Sequence, residues 1–185
     1  MVISDVVICN NALNLLGVEK ITALNENSRA ANVLNTAYNL TKEALLRSHF
    51  WNFSLKRVVL TPDVTPPAFG YSYSFSLPSD ALVWKFVDSY NTIKQEGRQL
   101  LSDEGSIKLI YVSNSTSEAD FDPIFTKTLA IRIASDICYI LTNNVSLNQK
   151  LEADFDKIIK EAKRMNAISQ TPDGLIVNTF IEARM

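Results

Sequence analysis

Apolar positions recur at intervals of three and four over residues 1–50, at intervals of two over about 51–117, and again at three and four from about 118 to 168. The first rhythm is that of a helix with one buried face and the second that of a strand with one buried face. Ser4 is placed to cap a first helix reaching about Leu16, because Val7, Ile8, Ala12, Leu15 and Leu16 share a flank and Gly17 supplies a left-handed stop. A second helix is predicted after "ALNENS", with Asn25, Asn27 or Ser28 as its cap. Ala30, Val33, Ala37, Leu40 and Ala44 form its inward stripe, whose small residues allow close approach of a neighbouring helix.

In "YSYSFSL" (71–77) the alternation puts Tyr71, Tyr73, Phe75 and Leu77 on one face and three serines on the other. "LVWKFV" (82–87) alternates Leu82, Trp84 and Phe86 against Lys85, while "FSLKRVVL" (53–60) and "IKLIYV" (107–112) are rich in β-branched and aromatic residues. Turns fall at Glu96-Gly97 and Asp103-Glu104-Gly105, and Pro62, Pro66 and Pro67 mark a loop. These features predict one small sheet of about five or six strands.

Helix returns with "FDPIFTKTLAIRIASDICYILTNN", where Asp122 is the N-cap and Pro123 takes the first helical position. Leu129, Ile133, Ile137, Ile140 and Leu141, widened by Ile131, Ala134 and Cys138, make this the most buried helix expected. Ser146 is the predicted cap of the last helix, with Leu147, Leu151, Phe155, Ile158, Ala162 and Met165 opposite a charged face. The expected class is therefore α+β. Residues 1–50 and 118–168 form a helical bundle built from the two ends of the chain, 51–117 an inserted β region, and 169–185 an extended arm.

Composition narrows the function more by exclusion than by assignment. With 46% hydrophobic and 21% charged residues, the 185-residue chain has the make-up of an ordinary globular domain. A formal charge of -2 and the lack of a Lys/Arg run argue against tight nucleic-acid binding. The first twenty residues carry no cationic leader, and no apolar stretch approaches the roughly 20 residues that cross a bilayer, so synthesis and folding in the cytoplasm are expected. Cys9 and Cys138 are far apart among apolar neighbours and read as buried thiols. His49 lies between Arg47 and two aromatic rings without a local carboxylate or nucleophile, which favours packing over general-base chemistry. No zinc site is expected from one histidine and two distant cysteines, and none of the five glycines falls in a phosphate-binding arrangement. "EADFD" occurs at 118–122 and at 152–156; the first reads as helix-start chemistry and the second as an exposed ion-pair face. Arg132 and Asp136, four residues apart, either pair within their helix or meet a neighbouring subunit.

The stretches "HFWNFSLKRVVL" (49–60) and "GYSYSFSLPSDALVWKFV" (70–87) resemble the tail tubular protein A family, the head-to-tail adaptors of short-tailed bacteriophages. The shared signals are Trp51-Asn52-Phe53 at the helix-to-sheet junction, Lys56-Arg57 just after it, and the Tyr/Phe-rich strand ending in "LPSDAL" (77–82). "NNALNLLGVEKITALNE" (10–26) and "FDPIFTKTLAIRIASDI" (121–137) are also similar, so the resemblance extends over about 1–168. It implies a structural virion protein without cofactor, metal or catalytic residues, assembled in the bacterial cytoplasm. Family members form a dodecameric ring below the portal, on which the tail nozzle or tube docks and through whose lumen DNA passes. Twelve copies at -2 each would carry roughly -24, which disfavours sticking of DNA to such a channel.

The closing segment "TPDGLIVNTFIEARM" (171–185) releases Leu175, Ile176, Val177, Phe180 and Ile181 after a Pro-Asp-Gly turn. Burying five such side chains yields roughly 8–15 kcal/mol. Ordering fifteen residues costs about 15 kcal/mol or more. The arm is therefore expected to order only against a partner, and insertion into the portal is the favoured reading. The alternative is that it folds back on its own bundle. Trp84 and Tyr90 are candidates for the nozzle-docking surface, with core packing as the alternative. A rival of another class is a virion-associated carbohydrate-cleaving enzyme using Asp103 and Glu104 on a sheet turn.

Overall fold

The computed structural model describes residues 3–86 and 93–169, and within them the class is mixed α+β. Helix α1 (Asp5–Leu16) begins where Ser4 Oγ accepts a hydrogen bond from Val7 N at 3.3 Å. It ends at Gly17, whose φ of 66° lies in the left-handed region that only glycine enters without cost. The loop that follows is tied down at two points. Asn10 both donates to Ile21 O and accepts from Ile21 N at 2.9 Å, and the Glu26 carboxylate accepts from the Thr22 amide and hydroxyl at 2.8 Å. Hydrogen bonds from the Thr22 backbone and side chain lower the Glu26 pKa to about 2.

Of the three cap residues considered for helix α2 (Arg29–Arg47), Ser28 takes the position, its Oγ accepting from Ala31 N. The buried stripe of α2 is Ala31, Leu34, Tyr38, Thr41 and Leu45, one residue round from the predicted one. Leu40, expected inside, is 73% exposed. An apolar count misses the true stripe because Tyr38 and Thr41 bury their rings and methyls while their hydroxyls find distant partners, Glu118 at 3.3 Å and Asp136 at 2.8 Å. Helix α3 (Pro123–Thr142) starts at Asp122, whose Oδ1 accepts from Ile124 N at 2.8 Å, with Pro123 in its first turn. It is the most buried helix and packs against α1, α2 and α4 (Val145–Ile168). The cap of α4 is Asn144 and not Ser146: Asn144 Oδ1 accepts from Leu147 N at 3.0 Å, and the left-handed Asn143 (φ 53°) makes the tight turn from α3.

A short 3-10 turn (Asn52–Ser54) leads from α2 into β1 (Leu55–Leu60). The other strands are β2 (Tyr73–Ser76), β3 (Ala81–Phe86), β4 (Lys94–Glu96), β5 (Gln99–Ser102) and β6 (Ile107–Ser113). They do not form the single sheet that was expected. Two three-stranded antiparallel sheets are present, ordered β1-β6-β3 and β2-β5-β4. Strand β6 enters the first sheet between β1 and β3, while the turn at Gly97 (φ 61°) returns β4 onto β5 in the second. The alternation predicted for 71–77 fails at two points, since Tyr73 is exposed and Ser74 is buried beside Phe75. The proline-containing loop covers the serine face: Asp63 N donates to Ser74 O at 2.7 Å, and Ser74 Oγ donates to Thr65 O at 3.1 Å.

Two apolar clusters result. The larger joins the four helices to Trp51 and Val112, and the smaller, around Phe75, Leu100, Ile107 and Leu109, is shared by the two sheets. Cys9 and Cys138 are free thiols inside the larger cluster. Burial, reinforced by the Asp5 charge, pushes the Cys9 thiol up to about 12, so it packs as a neutral small hydrophobe.

Candidate functional site

Among the described residues, one aromatic and two polar groups lie where elements meet. The first is the junction of bundle and sheet. Trp51 is buried with its Nε1 donating to Leu45 O at 3.0 Å. Its indole meets Phe125 edge-on with ring centroids 5.0 Å apart and stacks beside Phe53 at 6.2 Å. Phe121 completes the group at 5.0 Å from Phe125, so α3 is attached to the segment entering β1 through aromatic faces and edges.

Asp80 is the second centre. It stands at the turn before β3, and its carboxylate accepts from Lys56 Nζ (2.9 Å), Ser113 Oγ (2.7 Å), Ser115 Oγ (3.0 Å) and Tyr111 OH (3.3 Å). Asn114 N adds a 2.8 Å hydrogen bond to its carbonyl. Burial alone would raise the Asp80 pKa. The hydrogen bonds from Lys56, Ser113 and Ser115, with the Lys56 charge, outweigh that and hold it well below the ordinary carboxylate range. Asp80 therefore locks both outer strands of the first sheet to the end of its central strand.

The third centre pins α4 to the junction. Asn166 Oδ1 accepts from Asn52 N at 2.8 Å, Asn166 Nδ2 donates to Phe50 O at 3.0 Å, and Asn52 Nδ2 donates to Asn166 O at 2.9 Å. Asn166 Nδ2 also lies 3.1 Å from His49 Nε2. Burial, with a smaller repulsion from Lys163, lowers the His49 pKa. The imidazole thus favours its neutral form, able to accept at Nε2 from the amide.

Arg132 and Asp136 lie on the floor of a groove between α2 and α4. They pair within α3 at 3.1 Å, and Asp136 also accepts from Thr41. Arg132 reaches α4 as well, 3.4 Å from Glu152 and with its guanidinium 5.2 Å from the centre of the Phe155 ring. The groove encloses about 520 Å³, with walls that include Leu40, Ala44, Phe155 and Ile159. This is within the range of pockets that bury small ligands or apolar side chains. The exposure of Leu40 and Ala44, a departure from the expected α2 stripe, is what gives the groove its wall.

Trp84 is partly buried against the smaller cluster and donates from Nε1 to Gln95 Oε1 at 3.0 Å, bridging the two sheets. Tyr90 and the arm residues Leu175, Ile176, Val177, Phe180 and Ile181 lie outside the described residues. Asp103 accepts from the amide and hydroxyl of Ser72 at 2.8 and 2.9 Å, and Glu104 N donates to Ser102 Oγ at 3.2 Å. Asp103 therefore ties the end of β5 to the residue before β2, while the Glu104 amide helps shape the turn after β5. Among the described residues no three His, Cys, Asp or Glu side chains gather as a metal-binding group, and no helix is long and apolar enough to cross a membrane.

Sequence reasoning missed Asn166 and the groove. Nothing local in "KRMNAIS" signals that Asn166 has a partner more than 110 positions away. Comparison with models of known protein families gives no match, and comparison with curated proteins gives none either.

Proposed function

We propose that this chain is a structural head-to-tail adaptor of the tail tubular protein A type, acting in the virion of a short-tailed bacteriophage. In this reading twelve copies form a ring between the portal and the tail nozzle or tube. DNA passes through the lumen without specific binding, and residues 171–185 fasten each copy to the portal. The observation that carries the reading is the location of the residues behind the resemblance. Trp51 and Phe53 pack on Phe125 of α3 at the joint between bundle and sheet, while Lys56 and the Asp80 of "LPSDAL", 24 positions apart, pair across the first sheet beside it. The aromatic pair fastens that joint and the ion pair stiffens the sheet next to it, as an assembly subunit needs when its two parts must keep a fixed geometry under load. A cytoplasmically assembled subunit of low net charge also suits a passage that must release DNA.

The carbohydrate-cleaving alternative draws no support from the Asp103 turn, where the carboxylate is engaged by Ser72. Purified chain mixed with its portal and imaged by electron microscopy is expected to form a ring on the portal. Deletion of 171–185 is expected to abolish attachment while changing the melting temperature of the free chain by no more than a few degrees. Purified particles lacking the protein by mass spectrometry, or a portal that never recruits it, would rule the adaptor out.

A further inference from the structure

The groove between α2 and α4 has a polar floor whose groups already have partners. Asp136 is neutralised by Arg132 and receives the Thr41 hydroxyl, while Arg132 is also shared with Glu152. Arg132 and Asp136 thus neutralise each other on the floor, and with Lys163 the one further charged side chain on the lining, the fitting occupant is a mainly apolar segment. The walls agree, since Leu40 is 73% exposed and Ala44, Phe155 and Ile159 face the same space.

We infer that in the unassembled chain this groove is the berth of the chain's own residues 175–181. Three features of the molecule converge on that occupant. The stretch Gly174–Ile181 contains no charged residue and presents five large apolar side chains, matching a groove whose walls are mostly apolar and whose Arg132–Asp136 floor is paired. The geometry of connection is right: α4 ends at Ile168 and itself lines the groove with Phe155, Ile159 and Lys163. Returning from Ile168 to the level of Phe155 covers about 20 Å of helix. Residues 169–174 span up to about 20 Å, and seven further residues span about 23 Å if extended. The tether is thus long enough to reverse direction and lay 175–181 antiparallel to α4. Finally, attachment to a groove-lining helix gives the segment an effective concentration in the millimolar range, well above that of a second copy or a free partner.

The berth does not rest on the adaptor reading. If that reading holds, the portal must compete with the groove for the same side chains, which keeps the arm from capturing wrong partners before assembly. The test uses the full-length chain under limited chymotrypsin digestion, following cleavage after Leu175 and Phe180. Leu40→Asp, a change at an exposed position, and Ile176→Asp, a change in the segment itself, are each expected to speed cleavage at least about tenfold, since proteolysis tracks the population of the open form. Their far-ultraviolet circular dichroism should match that of the unaltered chain. In parallel, Ala44→Cys with Val177→Cys should oxidise to an intramolecular disulfide at any protein concentration, while the buried Cys9 and Cys138 stay unreacted. Equal cleavage rates in all three proteins, no cross-link, or a cross-link found only between two copies would each overturn the berth, while portal recruitment remains a separate measurement.

Discussion

Asp80 shows how much of this fold depends on one side chain reaching several elements. Its carboxylate accepts from β1, β6 and the residues just beyond β6, and its pKa is depressed. A carboxylate held below its unfolded value of about 3.9 contributes stability that is present above that pH and lost as the pH falls through it. Asp80→Asn should therefore lower the melting temperature at pH 7 and shrink the further loss between pH 4 and pH 2.5. A wild-type-sized acid loss in the variant would place that sensitivity elsewhere. The sequence allowed some of these residue roles to be read. Ser4, Gly17, Asp122 and Pro123 announce themselves because a cap is a local matter of three or four residues. Tyr38, Thr41 and Asn166 could not be read in this way, because each is buried or anchored by a partner that only the tertiary fold brings near.

At the scale of elements, period predicted type well and surroundings poorly. The helices and most strands fall where the apolar rhythm puts them, but β2 buries both Ser74 and Phe75 because a loop, and not another strand, covers its second face. The division into two sheets was equally hidden, since pairing partners are chosen by turns such as Gly97 and by the long return of β6, not by alternation within a strand. The last helix gives a direct test. Asn166→Ala removes the side-chain hydrogen bonds to Asn52 N and Phe50 O, at a cost of about 1–3 kcal/mol. For a chain of this size that corresponds to a fall of roughly 3–10 °C in thermal midpoint, measured by circular dichroism. A change of less than a degree would mean that α4 is held by its apolar face alone.

For the whole molecule, the two clusters set a hierarchy of stability. The helices and Trp51 share the larger, whereas β2, β4 and β5 depend on a smaller one built around Phe75 and Leu100. Amide hydrogen exchange should show the slowest protection in α3, at Ile133 and Ile137, with Leu100 and Leu101 exchanging at least about tenfold faster through local opening. Identical rates in both regions would indicate one cooperative unit. The central place of α3 also has a consequence during biosynthesis. Helix α1 packs chiefly on α3, yet some 100 residues separate the end of one from the start of the other, and a ribosome moving at about 5–20 residues per second needs about 5–20 s to supply them. Through that interval the nascent α1 and α2 carry oily faces with no surface to meet, which makes the half-made polypeptide a natural client for chaperones and most vulnerable to clumping before its final third emerges.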